Sequence, residues 1–389
     1  MKKLLSFLLV LSFCLSFATF AVAEDTIKIA FVGPMTGDNA EYGQYMQESV
    51  QIAIDEWNAK GGVLNRQIEM VSFDDKNTSE EAASIAEKIV GDESICAVIG
   101  HFSSGVAMTG AQIYQEGGIA LVNGSAAHID FSSIGDCIFR NNAIYSTDAN
   151  SFLQVVMYLG VEKFGMLHPN SDAGVSITSE VQGRLEEYGD KYPAELVTAE
   201  LYNEGTVDFN AFITKFMDAG CEVIVSTATY SALAPFVKQY KEKDPDIKII
   251  GSAATFSQEF IDLAGEDANG VCMPTSFFYE SEKPIVQAFS EEFLTRMGAN
   301  PNTFCAQVYD AANMIFLAIE EGQSASRADI VENLYKVTFD GCSGNVYFDE
   351  QGDCPKTQVL LEIVDGKYTE IPDVMMSRPD WEATYIFNE

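Results

Sequence analysis

The chain has 389 residues, 47% of them hydrophobic and 21% charged, a balance that excludes a disordered or fibrous chain and leaves ample material for a buried core. This length exceeds what one hydrophobic core usually serves and predicts two lobes. With 58 acidic against 23 basic residues, the formal charge of −35 repels nucleic acid and anionic membrane surfaces and reads mainly as a solubilising surface.

In chain order, the N-terminus reads as an export signal. Lys2 and Lys3 form a positive start, Leu4 to Phe20 is apolar, and Ala21-Val22-Ala23 places small residues as a signal peptidase site requires. Cleavage is expected after Ala23. Lipid attachment at Cys14 is disfavoured by the bulky Phe13 before it. No later stretch is long and apolar enough to span a bilayer.

From there, short apolar runs alternate with helical patterns, predicting α/β layers with parallel sheets. Strands are expected at Ile27 to Val32, Ile68 to Phe73, Cys96 to Ile99, Ile119 to Val122, Phe164 to Leu167, Val223 to Val225, Ile247 to Ile250 and Val271 to Met273. Helices are expected at Tyr45 to Lys60, with Met46, Val50, Ile54 and Trp57 on one face, then at Ser79 to Val90 with Thr78 or Ser79 as cap, and at Gly105 to Gln115. Further helices fall at about 175–188, 207–219, 231–242, 284–297 and 305–321. Gly344 to Asp349 and Thr357 to Val364 read as a hairpin turned at Gln351-Gly352.

Seven cysteines remain once Cys14 is removed, so at least one thiol is free or linked to another chain. Cys96, Cys221 and Cys272 sit in β-like runs and behave as small hydrophobes. Cys342 and Cys354 flank the expected hairpin, where a pair and two free thiols are both open.

In open parallel sheets ligands bind beyond the carboxyl ends of the strands. Those loops are small and polar here. Gly100-His101-Phe102-Ser103-Ser104-Gly105 follows a strand and opens a helix, whose free N–H groups and partial positive charge suit a carboxylate. On chemistry alone, simple capping by a serine is the commoner role. The next strand ends in Asn123-Gly124-Ser125-Ala126-Ala127-His128, and loops of the second half offer Asp172, Tyr230 and Phe256.

The order IKIAFVGPMTGDNAEYGQYMQESVQIAIDEWNAKGG, FDDKNTSEEAASIAEKIV, VIGHFSS and GIALVNGSAA, extending to FDGCSGNVYFDEQGD, resembles the periplasmic leucine/isoleucine/valine-binding proteins. The resemblance covers nearly the whole chain after the signal. It implies two Rossmann-like lobes with parallel-sheet cores joined by a three-strand hinge, the type I periplasmic binding protein fold. The implied first lobe is 24–144 plus 277–356 and the second 145–276 plus 357–389, with crossovers near Asn142 to Ser146, Thr275 to Phe278 and Cys354 to Gln358. It implies a monomeric, periplasmic, solute-binding component of an ABC importer that closes on an amino acid and delivers it to a permease, without a cofactor. Ser104 matches the serine that holds the ligand carboxylate, with Ser103 beside it. Tyr42 matches the cleft tyrosine, and backbone groups of Ser125 and Ala127 match the second loop. Three positions depart: Ala127 replaces an expected threonine, Ala253 an expected acid that holds the ammonium group, and Ala173 an aromatic. Either Asp172 or Glu259 then supplies the compensating charge by a shift of register, or the ligand lacks an ammonium group, as a keto acid, aromatic acid or amide does.

Two enzymatic readings have less support. His101, His128 and His168 each follow a strand, but none has metal-site spacing. A His101–Ser104 nucleophile pair lacks a third member, and GxSxG, GxGxxG and P-loop patterns are absent from the sequence.

Overall fold

The computed structural model describes residues 26–371; residues 1–25, where the export signal and Cys14 are expected, and the stretch 372–389 lie outside the described residues. Eight of the expected strands and eight of the expected helices are present, with ends shifted by a few residues. The first sheet holds β1 (Ile27–Gly33), β2 (Ile68–Asp74), β3 (Ile95–Gly100), β4 (Ala120–Asn123) and β5 (Ile138–Arg140), all parallel, in the order β2-β1-β3-β4-β5. Its helices are α1 (Ala40–Ala59), α2 (Ser79–Gly91) and α3 (Ser104–Glu116). Strands β3 and β4 are buried throughout, which is why they read as continuous apolar runs rather than alternating ones.

The second sheet opens after α4 (Tyr145–Leu159) with β6 (Lys163–Pro169). Helix α5 (Asp172–Tyr188), β7 (Glu195–Tyr202), α6 (Asn210–Ala219), β8 (Val223–Ser226), α7 (Tyr230–Lys241), β9 (Lys248–Ile250), α8 (Gln258–Ala264) and β10 (Val271–Thr275) follow. Its parallel part runs β7-β6-β8-β9-β10, so both lobes share one winding order about their first strand. The chain then returns to the first lobe. Helix α9 (Pro284–Met297) packs on α1, and α10 (Thr303–Gly322), buried along almost its whole length, packs on α1, β3 and β4. Helix α11 (Arg327–Leu334) and the strand pair β11 (Phe339–Gly341) and β12 (Gly344–Val346) complete this side. Finally β13 (Val359–Val364), antiparallel to β10, and β14 (Lys367–Glu370), antiparallel to β13, extend the second sheet.

The expected hairpin of Gly344 with Val364 is not formed. The turn is there, with Gly352 at φ +85° and its N–H donating to Asp349, but the strand after it belongs to the other lobe. Gly344–Val346 instead pairs back on Phe339–Gly341. A turn signal fixes a local reversal and not which strands pair. Cys342 and Cys354, like the other five cysteines described, are free thiols. The sequence reading also passed over α4, whose buried Tyr145, Ala149, Phe152 and Val156 have helical spacing.

The chain thus passes between lobes at 141–144, 276–283 and 355–358. The first and third passages are tied together. Arg140, wholly buried, forks onto Asp353 with bonds of 2.9 and 2.8 Å, and backbone bonds of 2.9 Å join Arg140 to Gly352 and to Cys354.

Candidate functional site

The carboxyl ends of both sheets face each other across a cavity of about 490 Å³. At the centre of its first-lobe wall, β3 ends at Gly100 with φ +135°, where any Cβ would lie 1.9 Å from the carbonyl oxygen of Val32. Only glycine allows this turn, and it directs the next residues into the cleft. His101 is withdrawn from the cavity: its Nδ1 lies 2.7 Å from Asp75 and its Nε2 3.3 Å from the Tyr114 hydroxyl, all buried. This pairing holds the loop from behind and leaves its serines in front.

Ser103 stands at the N-cap of α3 but does not cap it; its hydroxyl donates to Asn77 at 2.6 Å. Ser104 begins the helix. Its Oγ accepts from the Ala127 N–H at 3.1 Å and from the Tyr145 hydroxyl at 2.8 Å. Both lone pairs are therefore taken, and the Ser104 O–H proton is left to donate. The first-turn N–H groups of α3 have no side-chain cap, so the helix presents partial positive charge and donors together.

Of the sequence-derived residues, Ser103, Ser104, Ser125, Ala127 and Ala253 line the cavity. The backbone of Ser125 and Ala127 is already engaged: the Ser125 carbonyl accepts from Asn142, and the Ala127 carbonyl accepts from the Tyr145 N–H. Tyr42 and Tyr230 stand beside the cavity and close the seam between the lobes. Tyr42 stacks on Phe102 at 4.3 Å, meets Tyr230 at 5.3 Å, and donates its hydroxyl to the Ala254 carbonyl of the second lobe at 2.6 Å. Phe256 packs against Tyr279 and Tyr368 instead of facing the cleft.

The two acids weighed for the ammonium position separate clearly. Glu259 binds Ser257 and the Tyr45 hydroxyl on the seam, whereas Asp172 lines the cavity. His128 and His168 have local partners, the Asp130 N–H and the Pro169 carbonyl. Among the described residues no three metal-binding side chains gather.

The sequence reading missed the apolar covers Phe102 and Phe304, and the polar back wall of Asn142, Tyr145, Asp148 and Gln358. Asp148 accepts from Gln358 at 2.9 Å, and burial pushes its carboxyl up to about 6. Three buried polar atoms on this wall and opposite it, Thr227 Oγ1, Thr303 Oγ1 and Gln358 Oε1, have no protein partner. Unpaired buried polar atoms are costly and mark where a polar ligand would be held.

Comparison with known proteins identifies the family. A periplasmic binding protein family model matches residues 26–366. The leucine-, isoleucine-, valine-, threonine- and alanine-binding protein of Pseudomonas aeruginosa is 29% identical over 339 residues, 87% of this chain and 89% of that protein. The Leu/Ile/Val-binding protein of Escherichia coli is 25% identical over 344 residues, 87% of this chain and 90% of that one. Among solved structures, the branched-chain amino acid transporter substrate-binding protein of Streptococcus pneumoniae in complex with isoleucine superposes with a TM-score of 0.81 at 27% identity, covering 89% of this chain and 100% of that one. With the family model matching nearly all of the described residues, the chain belongs to the periplasmic binding protein family.

Proposed function

We propose that this protein is the exported, monomeric solute-binding component of an ABC importer and that it captures an apolar amino acid between its lobes. One observation carries the reading most directly: the uncapped start of α3, with the free Ser104 proton, opens into a cavity shared by both lobes. A carboxylate there accepts the Ser104 hydroxyl and the first-turn N–H groups. Phe102, Phe304 and the methyl groups of Ala127, Ala173 and Ala253 supply an apolar surface for a side chain. Among the described residues the lobes are 26–144 with 277–356 and 145–276 with 357–371, hinged at the three passages, and closure around the ligand selects the form that a permease recognises.

A keto acid or aromatic acid is the second candidate, suggested by Ala127 and Ala253. It fits less well. Asp38, Asp148, Asp172 and Glu204 line the cavity, and among its described lining residues there is no Lys, Arg or His, so beyond the start of α3 a bare anion meets only acidic side chains. An amino acid brings its own positive group.

Thermal unfolding against a panel tests this. L-leucine, L-isoleucine, L-valine and L-phenylalanine are compared with their 2-oxo acids. A ligand that binds only the native form stabilises it by about 2.7 kcal/mol at a hundredfold excess over Kd. Stabilisation by amino acids is expected; stabilisation by the oxo acids alone would replace the reading.

A further inference from the structure

We infer that Asp172, reaching across from the second lobe, is the counter-ion of the ligand's ammonium group. This deepens the amino-acid reading and rests on it. An α-amino nitrogen lies about 2.5 Å from its carboxylate carbon, so a carboxylate held at the start of α3 keeps the ammonium group close to that helix end. Of the acids that line the cavity, Asp172 comes from the second lobe and stands against the first turn of α3. A Cβ on Gly105 would lie 2.7 Å from Asp172 Oδ2, so the missing side chain at Gly105 is what admits the carboxylate beside the helix start. Asp148 first and Asp172 second act electrostatically on Tyr145, the residue that donates to Ser104 Oγ.

Other claims on Asp172 are weaker. An acid in the first turn of α5 favours that helix in its own right, but the cap is made by Ser171, which accepts from the Gly174 N–H. Asp148, the competing acid, is tied to Gln358 within the polar back wall. The position where the resemblance expects an acid is the methyl group of Ala253, and Glu259 is spent on the seam. A carboxylate on one lobe and its ammonium partner on the other make closure depend on both ends of an amino acid. An oxo acid bound at the same point places two anions together and opposes closure.

The experiment measures binding of L-leucine and 4-methyl-2-oxopentanoate by calorimetry to the wild type, Asp172→Asn and Asp148→Asn. Asp172→Asn should weaken leucine by about ten- to hundredfold, the loss of one charge-assisted bond, while leaving the oxo acid unchanged or tighter. Asp172→Asn that binds leucine like the wild type overturns the assignment, and so does a loss of discrimination confined to Asp148→Asn. A wild type that binds the oxo acid and not leucine, or neither, removes the amino-acid reading together with the assignment.

Discussion

At the scale of single residues, Ser104 does two jobs with one oxygen. It satisfies two buried donors, the Ala127 N–H and the Tyr145 hydroxyl, and keeps its proton for a ligand. Ser104→Ala should weaken amino-acid binding about ten- to hundredfold, or 1.5–3 kcal/mol. It should also destabilise the ligand-free protein by about 1–3 kcal/mol, because both donors lose their acceptor. Tyr145→Phe separates the effects: it keeps the Ser104 hydroxyl, so its affinity should fall by only a few fold. Calorimetric affinity beside denaturant midpoints checks both, and equal losses in the two variants would count against Ser104 as a donor. Ser104 was singled out in sequence by the family resemblance, since local chemistry alone favoured a capping role, and the structure puts it on the cavity wall. Asp148 and Gln358 were not, since they are 210 positions apart and meet only through the third passage.

At the scale of elements, most strands were readable because buried parallel strands are continuous apolar runs bounded by glycine and polar loops. Helix starts were legible where a side chain caps, as at Thr78, which accepts from the Glu81 N–H. Pairing was not. The turn at Gln351-Gly352 was recognised, yet β13 crosses to the second sheet, and nothing local to those two residues encodes that partner. The tie between passages is equally non-local: Arg140 and Asp353 are 213 positions apart. Removing Asp353 leaves the Arg140 guanidinium buried without its counter-charge, so Asp353→Ala should cost about 3–5 kcal/mol in urea unfolding. Adding Arg140→Met should recover much of that loss, because an apolar side chain of similar length needs no partner. A double variant no more stable than Asp353→Ala would mean that the Arg140 bond to the His128 carbonyl carries the energy instead.

For the whole molecule, the seam between the lobes holds an acid pair that is expected to link closure to pH. Glu41 of α1 has both carboxyl oxygens buried, and Glu259 of α8 approaches it from the second lobe, with Tyr45, Tyr230 and Ser257 around them. Burial first, and the Glu259 carboxylate second, push the Glu41 carboxyl up to about 8. Opening the cleft separates the pair and returns Glu41 toward the ordinary carboxylate range. The closed form therefore holds this proton more tightly. Its advantage is complete below the ordinary range and is lost as pH rises through about 8. Since ligand stabilises the closed form, amino-acid affinity should decline between pH 5 and 8. Asp148, pushed up to about 6 by burial, titrates in the same window, so the wild-type curve alone does not isolate the seam. Glu41→Gln does. It keeps the shape, removes the titration and should flatten the upper part of the curve, leaving the affinity at pH 8 at least equal to that of the wild type. Calorimetry at half-unit steps from pH 5 to 9 resolves this, and superimposable wild-type and Glu41→Gln profiles would show that closure proceeds without the shared proton.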